Sequence, residues 1–170
     1  VDRRIAGQCV PKLLAAAQAM KFGDPADPAT VIGPMISVQH AQRAESWVAE
    51  AVAAGAEVLI GGTRMGALMA PTLLARVTDN MKVSCEEIFA PVMSIVEFDG
   101  VDEAVARANA TPFGLSVGLF TSSLHTAFRA GRALHFGGVH VNEASSARVD
   151  AMPFGGVKDS GFGWEGPAYA

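Results

Sequence analysis

From residue 92 onward the chain alternates short extended apolar runs with helix-like stretches, and no other feature narrows the choice of fold as much. Residues 92–98, 115–120 and 139–142 are rich in Val, Ile, Leu and Phe and read as strands. Between them, one helix is expected from Asp102, as its cap, to about Asn109, and a second from Ser122 or Ser123, as cap, to about Leu134. Strand, helix, strand in succession is the pattern of a parallel sheet with helices on its faces, because a parallel pair needs a crossover long enough to bring the chain back to the starting edge.

The first half is consistent with such a layered arrangement. Ile5, Cys9, Leu13 or Leu14, Ala17 and Met20 recur at helical spacing, so a helix with one buried face is expected over residues 5–20. Pro11 removes a donor and crowds the preceding turn, which favours a helix that properly begins near it. Residues 21–28, with one glycine, two aspartates and two prolines, form a turn. A second helix starts at Ser37, buries Ala41, Ala44, Trp47, Val48, Ala51 and Val52, and stops at Gly55. Residues 57–60 form a strand closed by Gly61-Gly62, and residues 70–77 a further extended segment with Pro71 at its start. No fixed-period repeat, low-complexity stretch or linker after Pro28 interrupts the pattern, so residues 1–170 read as a single domain.

Composition narrows the function. Half of the 170 residues are apolar, enough for one domain-sized core. No apolar run approaches the roughly 20 residues of a bilayer-spanning helix, and no secretory core follows Val1, so a cytoplasmic protein without a membrane partner is expected. Thirteen basic against 17 acidic residues give a net charge of −4, with no Lys/Arg cluster, which argues against nucleic acid as a partner. Cys9 and Cys85 fit neither a disulfide framework nor a metal spacing, and His40, His125, His135 and His140 show no ligand spacing, so no metal is expected. Val1 in place of a starting Met suggests a sequence that begins inside a longer one.

Three motifs carry chemistry. They are Glu86-Glu87-Ile88-Phe89-Ala90-Pro91-Val92, Asn109-Ala110-Thr111-Pro112-Phe113-Gly114-Leu115 and Pro153-Phe154-Gly155-Gly156-Val157-Lys158-Asp159-Ser160-Gly161. In this order they resemble the cofactor-side and substrate-side loops of the NAD(P)-dependent aldehyde dehydrogenase family, and the likeness runs over residues 1–170. The resemblance implies an α/β fold: a mostly parallel open sheet with helices on both faces, of the aldehyde dehydrogenase catalytic-domain type and incomplete. The nucleophile region, the nucleotide-binding domain and the C-terminal oligomerisation strand of that family lie outside the matching stretch. The implied function is part of an enzyme that oxidises an aldehyde to its acid with NAD or NADP. Its implied partners are the small-molecule aldehyde, the remainder of an aldehyde dehydrogenase chain and further copies in a homo-oligomer. No catalytic residue is assigned here, and the 170 residues alone are not expected to turn over. Alternatives are a non-catalytic binding or oligomerisation module on the same scaffold, and an acylating or acyl-phosphate-reducing relative.

The same resemblance assigns roles to individual residues. Glu87 corresponds to the carboxylate that accepts from the nicotinamide ribose hydroxyls; an ionised carboxylate suits this because it is acceptor-only and takes two donors. A solvated acid is the competing reading, which fits Glu86 better. Phe89 corresponds to an aromatic beside the nicotinamide, against the alternative of a core aromatic ahead of a strand. Ala90 stands where the pattern has glycine, so a tight backbone approach there is in question. Phe154 corresponds to the ring lining the mouth of the aldehyde tunnel, and Asn142 to the residue closing the preceding strand, in a structural role. In the variable loop between them, Arg148 with Ser145 or Ser146 offers donors to an anionic tail; the alternative is an Arg148–Asp150 ion pair.

Three look-alike motifs are set aside. Gly7-Gln8-Cys9 lacks the spacing of a nucleophile motif and Cys9 lies on an apolar helix face. Gly161-Phe162-Gly163-Trp164-Glu165-Gly166 spells the dinucleotide fingerprint without a helix to follow it, and residues 155–160 have the wrong spacing for a phosphate loop. Cys85, beside two glutamates that disfavour a thiolate, is structural.

Overall fold

Asp2 opens the first helix in the computed structural model, which describes residues 1–167; the chain divides into two units, the first Val1–Phe98 and the second beginning at Asp99. Residues 168–170, across which no helix was expected after Gly166, lie outside the described residues.

In the first unit, α1 spans Arg3–Ala19, with the Asp2 carboxylate accepting from the Arg4 N–H at 3.0 Å. It runs straight through Pro11 instead of starting there. The missing donor costs one backbone bond at an exposed position, which the rest of a 17-residue helix tolerates. The expected buried face is largely open: Ala6 is its only buried residue, Ile5 is half exposed, and Leu13, Ala17 and Met20 line an apolar groove. The helix α2, Val38–Ala53, is capped by Ser37 and ends at Ala54, before Gly55 at φ 104°. It buries Ala41, Ala44, Val48 and Ala51, while Trp47 is half-buried and Val52 exposed.

A three-stranded sheet lies beside α2, ordered β1 (Glu57–Ile60), β4 (Thr72–Ala75), β5 (Val92–Ser94). The β1–β4 pair is antiparallel and β4–β5 parallel, with Thr72 opposite Val92. Two short elements were not foreseen: the hairpin of β2 (Arg64–Met65) and β3 (Leu68–Met69), and α3 (Lys82–Cys85). Gly66 at φ 60° opens the two-residue hairpin turn. The core gathers Ala44, Val48 and Ala51 of α2 with Met69, Leu74, Val77, Met81 and Val83. Inside it the Thr72 hydroxyl accepts from Gly62 N–H at 2.9 Å and donates to Ala70 O at 2.8 Å, so this buried polar group is satisfied on both sides.

The second unit places α4 (Val101–Asn109), β6 (Ser116–Leu119), α5 (Leu124–Ala133) and β7 (Gly138–Val141) in succession. β6 and β7 pair in parallel, with Ser116 opposite Gly138, so α5 is the crossover helix the sequence pattern called for. Ser123, not Ser122, caps α5 by accepting from Thr126 N–H at 3.2 Å. Asp102 does not cap α4, because Gly100 occupies that position; the Asp102 carboxylate instead pairs with Arg129 on α5. The class is α/β with open sheets, and the antiparallel β1–β4 pair and β2–β3 hairpin add to the parallel crossovers.

Candidate functional site

The expected site residues fall into two clusters, one in each unit. In the first, the turn that leaves α3 runs through residues 86–91 into β5. Glu86 ends α3 by donating its N–H to Lys82 O at 3.0 Å. Ile88 and Ala90 pack against the core, and Arg43 of α2 donates to Ile88 O at 3.1 Å. Anchoring the alternate residues turns Glu87 and Phe89 outward, and both are exposed.

Phe89 has φ 47° and its side chain is 77% exposed. A bulky residue in the left-handed region is uncommon, and among the described residues this ring stands open to solvent. The Glu87 carboxylate two residues earlier has no hydrogen-bond or ion-pair partner among the described residues. An unengaged, acceptor-only group beside an open ring suits a ligand that presents hydroxyls and a flat heteroaromatic face. Ala90 lies outside the positive-φ region and its methyl packs on the core, so the left-handed geometry falls at Phe89 and the missing glycine costs nothing there. Cys9 lies in mid-helix, and Cys85 is half-buried at the end of α3.

In the second unit, Ser145, Ser146, Arg148 and Phe154 line one pocket of about 290 Å³. The Arg148 guanidinium carbon stands 4.2 Å from the centroid of the Phe154 ring. Arg148 does not pair with Asp150, because stacking on the ring draws it the other way, and neither residue has an ion-pair partner among the described residues. Asn142, at φ 58°, ends β7: its side-chain oxygen accepts from Thr121 N–H at 2.8 Å and its own N–H donates to Leu119 O at 2.7 Å. The loop that follows crosses close over β6, where the Ser116 hydroxyl donates to Ser145 O at 2.6 Å.

Phe154 is held from the other side by Glu165. The Phe154 N–H donates to Glu165 O at 2.9 Å and the Glu165 N–H to Phe154 O at 2.6 Å. Residues 161–166 therefore serve as a backbone clamp for the aromatic, not as a phosphate loop. Sequence reasoning missed His140 and Met152, which also line the pocket. For His140 a signal existed: Gly138 and His140 are two apart on β7, so they share one face of the strand, and both line the pocket.

The family model described as "Aldehyde dehydrogenase family" matches residues 1–170. The 3-sulfolactaldehyde dehydrogenase of Priestia aryabhattai is 47% identical over 161 residues, 95% of this chain and 34% of that protein. A betaine aldehyde dehydrogenase of Rhizobium leguminosarum bv. trifolii is 42% identical over 97% of this chain and 35% of its own length. Among solved structures, aldehyde dehydrogenase 21 from Physcomitrella patens, in complex with the reaction product succinate, superposes with a TM-score of 0.96 at 40% identity, covering 99% of this chain and 35% of that one. A glyceraldehyde-3-phosphate dehydrogenase from Methanocaldococcus jannaschii, complexed with NADP, gives 0.94 at 38% identity over 99% and 37%. The chain thus spans about a third of the length of the relatives it matches.

Proposed function

Because this chain belongs to the aldehyde dehydrogenase family, we propose that it supplies the cofactor-facing and substrate-facing loops of an enzyme that oxidises an anionic aldehyde to its acid with NAD or NADP. The observation that carries the proposal is the second-unit pocket, where a guanidinium without a carboxylate partner among the described residues lies over an aromatic ring beside Ser145 and Ser146. Guanidinium and hydroxyl donors match the oxygens of a carboxylate, phosphate or sulfonate tail, and the ring offers an apolar wall to the carbon chain. Three of the relatives above bear names or ligands with such tails: sulfolactaldehyde, succinate and glyceraldehyde 3-phosphate. Betaine aldehyde, a cation, is the exception, so the anionic preference rests on Arg148 itself.

Glu87 and Phe89 are the residues that would hold the cofactor: the carboxylate accepts from ribose hydroxyls and the ring restricts the pose of the nicotinamide. Held there, NAD or NADP would supply a hydride acceptor for the substrate carbon. This chain's part is to orient and to exclude; the thiol attack and water activation fall to the remainder of an aldehyde dehydrogenase chain, with which residues 1–170 form part of one catalytic domain. A cytoplasmic homo-oligomer completes the reading. The homo-oligomer rests on the family resemblance alone.

The test is Arg148→Ala in the gene product that carries these residues, assayed by NAD(P)H formation with 3-sulfolactaldehyde and with neutral butyraldehyde. Losing hydrogen bonds to a charged tail costs about 1.5–3 kcal/mol, a drop in kcat/KM of roughly ten- to a hundred-fold for the anionic substrate and none for the neutral one. Equal losses on both overturn the anionic anchor. Absence of NAD(P)-linked turnover with any aldehyde overturns the enzyme reading in favour of a binding module.

A further inference from the structure

The proposed substrate pocket depends on Phe154, which Glu165 holds on one side through two backbone bonds and which the closely packed Gly155-Gly156 follow on the other. The residues beyond the glycines hold the chain from that second side. Lys158 stands at φ 55°, another non-glycine residue in the left-handed region, in a single 3-10 turn at Lys158–Ser160. Its ammonium donates to three carbonyl oxygens: Asn109 O and Thr111 O at 3.0 Å each, and Phe113 O at 3.2 Å. Asn109 is the last residue of α4, where helix carbonyls lack intrahelical partners and the dipole favours a cation.

An ammonium has three donors on one centre, and here all three are used. The planar fork of an arginine cannot converge on three carbonyls in that way. Two backbone bonds and one to a side chain extend the same seam: Val157 N–H to Gly114 O at 3.0 Å, Asp159 N–H to Pro112 O at 3.1 Å, and Gly114 N–H to the Ser160 hydroxyl at 2.9 Å. The Lys158 ammonium also lies 5.4 Å from the centre of the Phe136 ring. From this anchor the chain passes back through Gly155, pressed against Gly137, to the ring on which Arg148 rests.

We infer that Lys158 is a positioning residue for the aldehyde pocket: by gathering the carbonyls of Asn109, Thr111 and Phe113 it fixes the turn that aims Phe154, and through Phe154 the guanidinium of Arg148. This inference rests on the function proposed above. Its consequence is that loss of the ammonium weakens aldehyde binding selectively, because the cofactor residues Glu87 and Phe89 belong to the other unit.

The test compares Lys158→Met and Lys158→Asn with the parent gene product; asparagine accepts the left-handed backbone but cannot reach the three carbonyls. Both variants are expected to raise KM for 3-sulfolactaldehyde about tenfold, the size of one lost charge-assisted hydrogen bond, with KM for NAD(P) unchanged. A purely structural role would lower the amount of active enzyme and leave both KM values alone. A second readout needs no activity: tryptic cleavage after Arg148, followed by mass spectrometry, should quicken in both variants as the loop loosens. Should Lys158→Met fail to fold, Lys158→Asn is read by itself. Unchanged aldehyde KM together with unchanged cleavage at Arg148 overturns the inference. If the parent shows no aldehyde turnover but cleavage at Arg148 still quickens, the functional proposal fails while the anchoring role stands. If neither appears, both fail.

Discussion

A single methyl group at residue 137 should do more damage than any other alanine substitution of comparable size in the second unit. A Cβ built on Gly137 lies 1.7 Å from Gly155 O and 2.7 Å from Gly155 C, where ordinary contact begins at 3.4 Å. Both neighbours are backbone, so no side chain can rotate out of the way. Gly137→Ala must push the Gly155 segment off, or surrender the 2.9 Å bond from Gly137 N–H to Gly114 O that holds the turn into β7. Overpacking of this kind costs about 1–3 kcal/mol and a lost backbone hydrogen bond about 1 kcal/mol more, so a loss of roughly 2–4 kcal/mol is expected. Gly131→Ala is the matched control. Gly131 lies within α5 with nothing within 4 Å of its virtual Cβ, so the same methyl should stabilise by about 0.5–1 kcal/mol through helix propensity. Urea denaturation followed by tryptophan fluorescence reads both; with a slope of about 1–3 kcal/mol per molar, Gly137→Ala lowers the midpoint by roughly 1 M or more while Gly131→Ala raises it slightly. A neutral Gly137→Ala, or two changes of the same sign, would falsify the close-approach argument.

Glu87→Gln keeps the shape but replaces one acceptor oxygen with a donor; KM for NAD(P) should rise by about tenfold, with aldehyde KM unchanged, measured by steady-state kinetics on the gene product. Thr72→Val keeps the volume but removes the hydroxyl that serves the half-buried Gly62 N–H and Ala70 carbonyl, and a stability loss of about 1 kcal/mol is expected in the same urea assay. The Asp2 carboxyl is held down to about 2, chiefly by the side-chain hydrogen bond from Arg4 and then by the Arg4 backbone N–H. A depressed folded-state pKa means its contribution is present above the ordinary carboxylate range and is lost as pH falls from about 4 toward 2. Asp2→Asn should flatten that part of the acid limb, read as thermal midpoint against pH; an identical acid limb in the variant would count against the cap.

Much of the local structure was legible because it depends on neighbours in sequence. Ser37 and Ser123 cap helices with their own side chains, Gly55 ends one, and the residues that pack the α2 face recur every three or four positions. The elements that escaped notice are too short to carry a period: β2 and β3 have two residues each and α3 has four, and each exists because tertiary neighbours hold it. Asp102 looked like a cap because its type suits one; whether it caps or pairs with Arg129 depends on where α5 lies, which no local pattern reveals.

The same division runs through the site. The roles expected of Glu87, Phe89 and Phe154 came from the resemblance of the motifs around them, and that of Arg148 from the donors a guanidinium offers. Their orientation was not legible in the sequence. Anchoring by Ile88 and Ala90 turned Phe89 outward in a left-handed backbone, stacking on Phe154 took Arg148 away from Asp150, and the three carbonyls gathered by Lys158 come from a segment more than forty residues earlier. Side-chain chemistry is a property of each residue and survives in the linear chain, whereas direction and company arise when distant segments close on one another, and only the folded molecule settles them.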